Sequence, residues 1–285
     1  MKTDNKVDFI GIGAQKAGTS WLFRRLEELP EFSLPPVKEL HYFDRSRKYD
    51  SPHTLAHSSI LLKVFNFWWL KNVRRRLLNG NKEHTKWFLH YFLSRYNDSF
   101  YLRLFDQLNG IKGEVTPSYS MLDITDIQRM YDLLPHLKLI LMLRDPIDRA
   151  WSHYNYIAPK HKILDAEHFN LFVNSPKQEK RSNYIEIIEK YTSVFPKEQL
   201  FIGFFDQIKE QPQKLVEEIV NFLGGDALQV VEYCHLENKN NVNKDKAVIP
   251  EHYLEELKRK YKPMMRELAD AQNGHTIQWY KHYFE

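Results

Sequence analysis

The chain has 285 residues, 42% of them hydrophobic, which is enough for one sizeable core and tight for two independent domains. Its formal charge of +4 is too mild to demand nucleic acid as a partner but is compatible with anions held in local basic pockets. The single cysteine, Cys234, excludes an internal disulfide framework and is expected as a buried, small apolar residue.

Met1 to Lys6 is polar and leads straight into a strand with no apolar run ahead of it, so a cytoplasmic location is expected. Val7 to Gly13 is a β-branched and aromatic run ending in glycines, which predicts a buried parallel strand. Thr19 to Leu29 carries Trp21, Leu22, Leu26 and Leu29 at helical spacing. Pro30, Pro35 and Pro36 then break the chain into an extended segment, Val37 to Asp44, on which Glu39 and His41 would face one side.

Residues 46–105 read as a helical insertion between strands. Three accounts of its basic and aromatic part, 61–87, compete: an amphipathic lid over a pocket, a packed helical subdomain, or an interfacial helix in peripheral contact with anionic lipid. Its longest greasy stretch, Ile60 to Leu70, contains Lys63 and Asn66 and is too short to span a hydrocarbon core of about 30 Å.

Further strands are predicted at Ile111 to Thr116, Leu137 to Leu143 and Gln199 to Phe204. Helices are predicted at Pro146 to Tyr156, Asn183 to Phe195 and Pro212 to Leu223, and a closing helix at Pro250 to Ala271 follows a polar loop. Strands alternating with helices predict one α/β domain over residues 1–285, with three layers around a central parallel sheet, which the loop after the first strand likens to P-loop proteins.

The octet Gly13-Ala14-Gln15-Lys16-Ala17-Gly18-Thr19-Ser20 sits between the first strand and the first helix. It keeps the glycine spacing of a P-loop, but Thr19 stands where a nucleoside triphosphatase carries lysine. Gly13 and Gly18 let the backbone curl so that successive N–H groups point inward, and the helix start adds its positive dipole end. Thr19 and Ser20 add hydroxyl donors, and Lys16 brings a full cation to the atom bridging a phosphate and the group it loses. The bland alternative is a Gly-rich turn with a solvated lysine; the clear strand before it and helix after it argue against that.

The strongest strand runs into Arg144-Asp145-Pro146-Ile147-Asp148-Arg149-Ala150-Trp151-Ser152, which puts a guanidinium at the carboxyl edge of the sheet and a hydroxyl on the helix that follows. Arg149 is expected to pair with Asp145 or Asp148. A kinase would want a free acidic strand end for Mg²⁺, and here the strand ends in arginine. The histidines form no HExxH or Cys-paired cluster, and no GxSxG elbow exists, so no metal is expected and hydrolases lack their nucleophile.

These segments resemble the sulfotransferases that use 3′-phosphoadenosine 5′-phosphosulfate (PAPS). GAQKAGTS is similar to their GxxKxGT[TS] loop, RDPIDRAWSHY to RDPxxRxxSxY, KELHYFD to the KExHFFD of heparan- and glycan-type members, and GEVTPSY to GEKTPxY. A bacterial-like member is the nearest description. The resemblance implies sulfuryl transfer to an acceptor hydroxyl or amine of a small molecule, lipid or glycan, with PAPS as donor and the bisphosphate PAP as product. It implies that Gly13, Gln15, Lys16, Ala17, Gly18, Thr19, Ser20 and Trp21 contact the 5′ side, and that Arg144 and Ser152 hold the 3′-phosphate. Tyr184, Asn243 and Lys244 are further nucleotide candidates. Lys16 and Glu39 are the expected catalytic pair, with His41 the other candidate base, and Lys38, Asp44 and Thr116 line the acceptor side. Val115 stands where many glycan-directed members carry a substrate-contacting lysine, and Asn241 to Lys244 lacks the family's Arg-Lys-Gly signature. The alternatives are a nucleotide-dependent kinase and a nucleotide-binding protein without turnover.

Overall fold

The computed structural model describes residues 6–46, 48–49, 84–161, 166–236, 248–271 and 274–285. Five strands, β1 (Phe9–Gly13), β2 (Phe32–Ser33), β3 (Ile111–Val115), β4 (Lys138–Leu143) and β5 (Leu200–Phe204), form a parallel sheet in the order β2-β3-β1-β4-β5. Helix α1 (Thr19–Glu28) follows β1; α2 (Thr85–Leu93) and α3 (Asp98–Arg103) precede β3; α4 (Ile124–Leu133) joins β3 to β4. Helices α5 (Pro146–His161), α6 (Ala166–Val173), α7 (Pro176–Ser182) and α8 (Tyr184–Thr192) lie between β4 and β5. After β5 come α9 (Phe205–Glu210), α10 (Pro212–Leu223), α11 (Gln229–Tyr233), α12 (Glu251–Ala271) and α13 (His275–Phe284).

The central strands are apolar without alternation because both of their faces are covered. Every residue of β1 is buried, as is every residue of β4 after Lys138. Right-handed crossovers place α1, which leads from β1 towards β2, on the face opposite the connections running from β3 to β4 and from β4 to β5. The packing agrees: α4 meets α8 on one side. On the other, the end of α1 is tied to the chain around α10 and α11, since Glu31 accepts the Asp226 N–H at 2.6 Å and Arg25 donates to the His235 carbonyl. This is the three-layer α/β arrangement expected from the sequence.

Several details depart from expectation. Val37 to Asp44 is irregular chain, with His41 in the left-handed region at φ 51°. Cys234 is half-buried, because it follows α11 at the rim, its sulfur 3.6 Å from the Arg25 carbonyl oxygen. Of the insertion, α2 is a packed element: Trp87, Phe88, Tyr91 and Phe92 join the core, and the Trp87 indole donates to the Leu104 carbonyl at 2.8 Å. The rest of the 61–87 segment, up to residue 83, lies outside the described residues. Among those described, no helix is long and apolar enough to cross a membrane.

Gly113 on β3 is where the sheet is tightest, since a Cβ there would sit 2.4 Å from the ring of Phe9, itself wholly buried and edge-on to Phe32. Gly113→Ala should therefore cost about 1–3 kcal/mol by overpacking, read as a lower denaturant midpoint at unchanged m-value.

Candidate active site

In an open parallel sheet the crevice opens where neighbouring strands send their connections in opposite directions. Here that point lies between β1, whose chain turns back towards β2, and β4, whose chain leads on to β5. The loop from Ala14 to Gly18 fills it. The Ala14 N–H donates to the Met142 carbonyl at 2.7 Å, and the Ala17 N–H to the Ala14 carbonyl at 3.2 Å, so the loop is pinned to β4 and curled on itself. Gly18 has φ 89° and no room for a side chain, as a Cβ would come 2.4 Å from Ile208; at Gly13 it would come 2.7 Å from Ser120. Helix α1 starts on Gly18 without a side-chain cap and without an acid in its first turn, which leaves its positive end directed at the loop. Ala17 and Thr19 are buried, Lys16 and Trp21 half-buried and Ser20 exposed. The Lys16 ammonium lies 4.3 Å from the centroid of the Tyr156 ring. Gln15 accepts from Arg181 Nε of α7 at 2.6 Å.

Arg144 arrives at the same crevice from β4. Its Nη1 donates to the Lys16 carbonyl at 3.3 Å, its Nη2 to Asp148 at 3.2 Å, and the guanidinium rests 4.6 Å above the Phe205 ring. Its Nε is buried with no partner. Asp145 accepts the Ile147 and Asp148 N–H groups, both at 2.9 Å, and so starts α5, while burial pushes its carboxyl up to about 7. Ser152 is half-buried on α5. Tyr184 is wholly buried and donates to the Arg144 carbonyl at 2.9 Å.

The expected pairing of Arg149 with Asp145 or Asp148 is not formed. Arg149 points into the core and donates to the Ser182 hydroxyl, while Asp148 sits one helical turn from Arg144 and takes that guanidinium instead.

The third component comes from the segment after β2. Glu39 touches Lys38 Nζ at 3.3 Å and His41 Nε2 at 3.2 Å, and its side chain keeps 31% exposure. His41 Nδ1 lies 2.8 Å from Asp44 Oδ2, which also accepts from the Ser118 hydroxyl at 2.6 Å. Burial alone would favour neutral imidazole, but the hydrogen bonds and charges of Asp44 and Glu39 outweigh it and raise His41 to about 9. For Glu39, burial works upward and is outweighed by the His41 hydrogen bond and the Lys38 charge, so its carboxyl falls below the ordinary value. At neutral pH the pair is therefore a carboxylate facing an imidazolium. The first has lone pairs for a proton and the second has none.

Thr116 is fully buried under this segment, accepting the Leu40 N–H at 3.0 Å and donating to Glu114 at 2.6 Å. Val115 is buried too and packs on Gly11, since a Cβ there would meet both of its methyl groups at 3.0 Å. Asn243 and Lys244 lie outside the described residues. Ser118, Glu114, Tyr119 and Arg181 join the network without having been assigned a role from sequence. The first three lie in the GEVTPSY stretch, whose density of hydroxyls around a carboxylate was the available signal.

A family model described as Sulfotransferase domain matches residues 6–282. Among solved structures, a sulfotransferase from Alicyclobacillus acidocaldarius is 23% identical with a TM-score of 0.65, covering 96% of this chain and 98% of its own. The sulfotransferase domain of the Synechococcus PCC 7002 olefin synthase is 18% identical, with a TM-score of 0.52 and coverage of 92% and 97%. A mouse sulfotransferase complexed with PAP is 15% identical, with a TM-score of 0.53 and coverage of 98% and 89%. At these identities the structural likeness speaks to the fold. A search of curated proteins finds no match.

The raised value of His41 fixes a sign. Ion pairing of its charged ring stabilises the fold fully below the ordinary histidine value, and this contribution is lost as pH rises through about 9. In an NMR titration the His41 ring should titrate near 9, and Asp44→Asn should lower that midpoint by about one pH unit or more.

Proposed function

The chain belongs to the sulfotransferase family, and we propose on that premise that it transfers a sulfuryl group from PAPS to an acceptor hydroxyl or amine, with Glu39 as general base. The observation that carries the reading is the meeting, at one sheet edge, of an amide cradle with no room for a Cβ at Gly18 and a buried guanidinium whose Nε lacks a partner. Both features fit a nucleotide bearing phosphates at separate positions, and the bisphosphate bound to the mouse relative has that chemistry.

The donor supplies an activated sulfuryl group, whose transfer breaks the sulfur–oxygen bond to the 5′-phosphate and forms a sulfur–oxygen or sulfur–nitrogen bond to the acceptor as its proton leaves. Loop amides, Thr19 and Ser20 hold the 5′ side, and Lys16 neutralises the charge that grows on the departing phosphate oxygen. Arg144 and Ser152 hold the 3′-phosphate, Arg144 exchanging Asp148 for the incoming anion. Glu39 takes the acceptor proton in its carboxylate form. His41 and Lys38 keep it ionised, and Asp44 with Ser118 keeps His41 aimed at it. Asn243 and Lys244 remain candidates for the 3′ side. The acceptor is a hydroxyl or amine of a small molecule, lipid or carbohydrate; Val115, turned onto Gly11, offers no cation to a highly sulfated glycan. The cations placed against the donor in this scheme are Lys16 and Arg144, with no call on a metal.

Glu39→Gln should slow turnover by roughly 10²–10⁴ while PAP affinity, measured by calorimetry, stays near wild type. A collapse of PAP binding in that variant would remove Glu39 from the role of base. Arg144→Ala should weaken PAP by at least roughly tenfold, the loss of a charge-assisted contact, without any requirement for magnesium. Equal affinity in the two proteins would take Arg144 out of the site.

A further inference from the structure

Glu114 is 1% exposed on β3, and neither strand packing nor the proposed proton transfer accounts for a carboxylate there. Three hydroxyls converge on it. Tyr101 donates to Oε1 at 2.8 Å, Tyr119 to Oε1 at 3.3 Å and Thr116 to Oε2 at 2.6 Å. A hydroxyl has one proton to give. With that proton directed at Glu114, the oxygens of Thr116 and Tyr119 are left as acceptors, and both accept from one stretch of chain. Thr116 receives the Leu40 N–H at 3.0 Å; Tyr119 receives the Tyr42 N–H at 2.7 Å and the Phe43 N–H at 3.4 Å.

Leu40 and Tyr42 flank His41, whose φ of 51° a non-glycine residue adopts only when its surroundings hold it there. The hydrogen bonds from the neighbouring amides supply that hold, and all of them end on hydroxyls oriented by one carboxylate. We propose that Glu114 is a positioning residue: its ionised, acceptor-only form turns Thr116 and Tyr119 to grip the segment that carries Glu39 and His41. Burial pushes its carboxyl up to about 7, against the hydroxyls and the His41 charge, so at pH 8 most of it is ionised. A glutamine of the same size would have to donate through its amide, and a hydroxyl that accepts from it loses its fixed direction towards the loop.

The hydrogen-bond claim stands by itself; its consequence for turnover rests on Glu39 being the base. Hydrogen exchange of the full chain at pH 8 tests the first, and steady-state kinetics with PAPS tests the second, in wild type, Glu114→Gln, Glu114→Asp and Tyr119→Phe. In Glu114→Gln the side-chain amide keeps one acceptor oxygen and places a donor on the other side. Either Leu40 (donor facing Thr116) or Tyr42 and Phe43 (donor facing Tyr119) should therefore exchange about tenfold faster or more, while amides of β1 and β4 keep their protection. Tyr119→Phe removes the acceptor itself and should release Tyr42 and Phe43 but not Leu40, which sets the size of effect for that arm. Glu114→Asp, whose carboxylate is one methylene too short to reach the same hydroxyls, decides the matter if Glu114→Gln does not fold. In each variant, kcat should drop about tenfold or more with the KM for donor changed less than about twofold. Unchanged protection at these amides in a folded variant overturns the proposal, as does faster exchange spread equally over β1 and β4, or a loss confined to KM. If wild type transfers no sulfuryl group to any acceptor, the functional reading fails while the exchange result still decides the role of Glu114.

Discussion

The constraint on which the rest depends is steric. β1 lies between β3 and β4, and where it ends the chain has to turn in a space that admits no side chain at Gly13 or Gly18. That turn brings backbone amides to the surface of an otherwise apolar sheet edge and anchors them to β4 through the Met142 carbonyl. Because the strands are parallel and adjacent, their next residues arrive together: Arg144 from β4, and from β3 the Thr116 to Tyr119 stretch that supports Glu39 and His41. One sheet edge therefore collects a curled loop of backbone amides after β1, a guanidinium after β4, and a carboxylate from the segment after β2 that is braced by the chain following β3.

Charge at this edge is organised in provisional pairs. Arg144 is matched by Asp148 and a loop carbonyl, and His41 is held between two carboxylates. The two arrangements differ in what they permit. Asp148 keeps 27% side-chain exposure and stays within reach of water, whereas Asp44 is buried and held by Ser118 beside His41. The outer pair is open to solvent and the inner one is closed off from it.

What was legible in the sequence was local. The octet after β1 and the arginine ending β4 announce themselves because strand, turn and helix start are consecutive in the chain and each has its own residue chemistry. Contacts between distant elements left no such trace: nothing in the spacing says that Tyr101 of α3 will reach Glu114, or that Arg181 will reach Gln15. Val37 to Asp44 read as extended because prolines precede it, yet Glu39 and His41 meet across an irregular bend at His41 instead of along a strand face. The pairing assigned to Arg149 failed for a simple geometric reason, since Asp148 lies one turn from Arg144 on the exposed side of α5 while Arg149 faces inward.

The register of the sheet also sets an order of events during synthesis. Phe9 pairs with Gly113 on one side and with Lys138 on the other. A growing chain thus carries its first strand unpaired until more than a hundred further residues have been added, a wait on the order of ten seconds at ordinary ribosome speeds. For that interval Phe9, Ile10 and Ile12 lack the partners that cover them in the finished sheet, and the segment has to be kept from non-native pairing until β3 and β4 arrive.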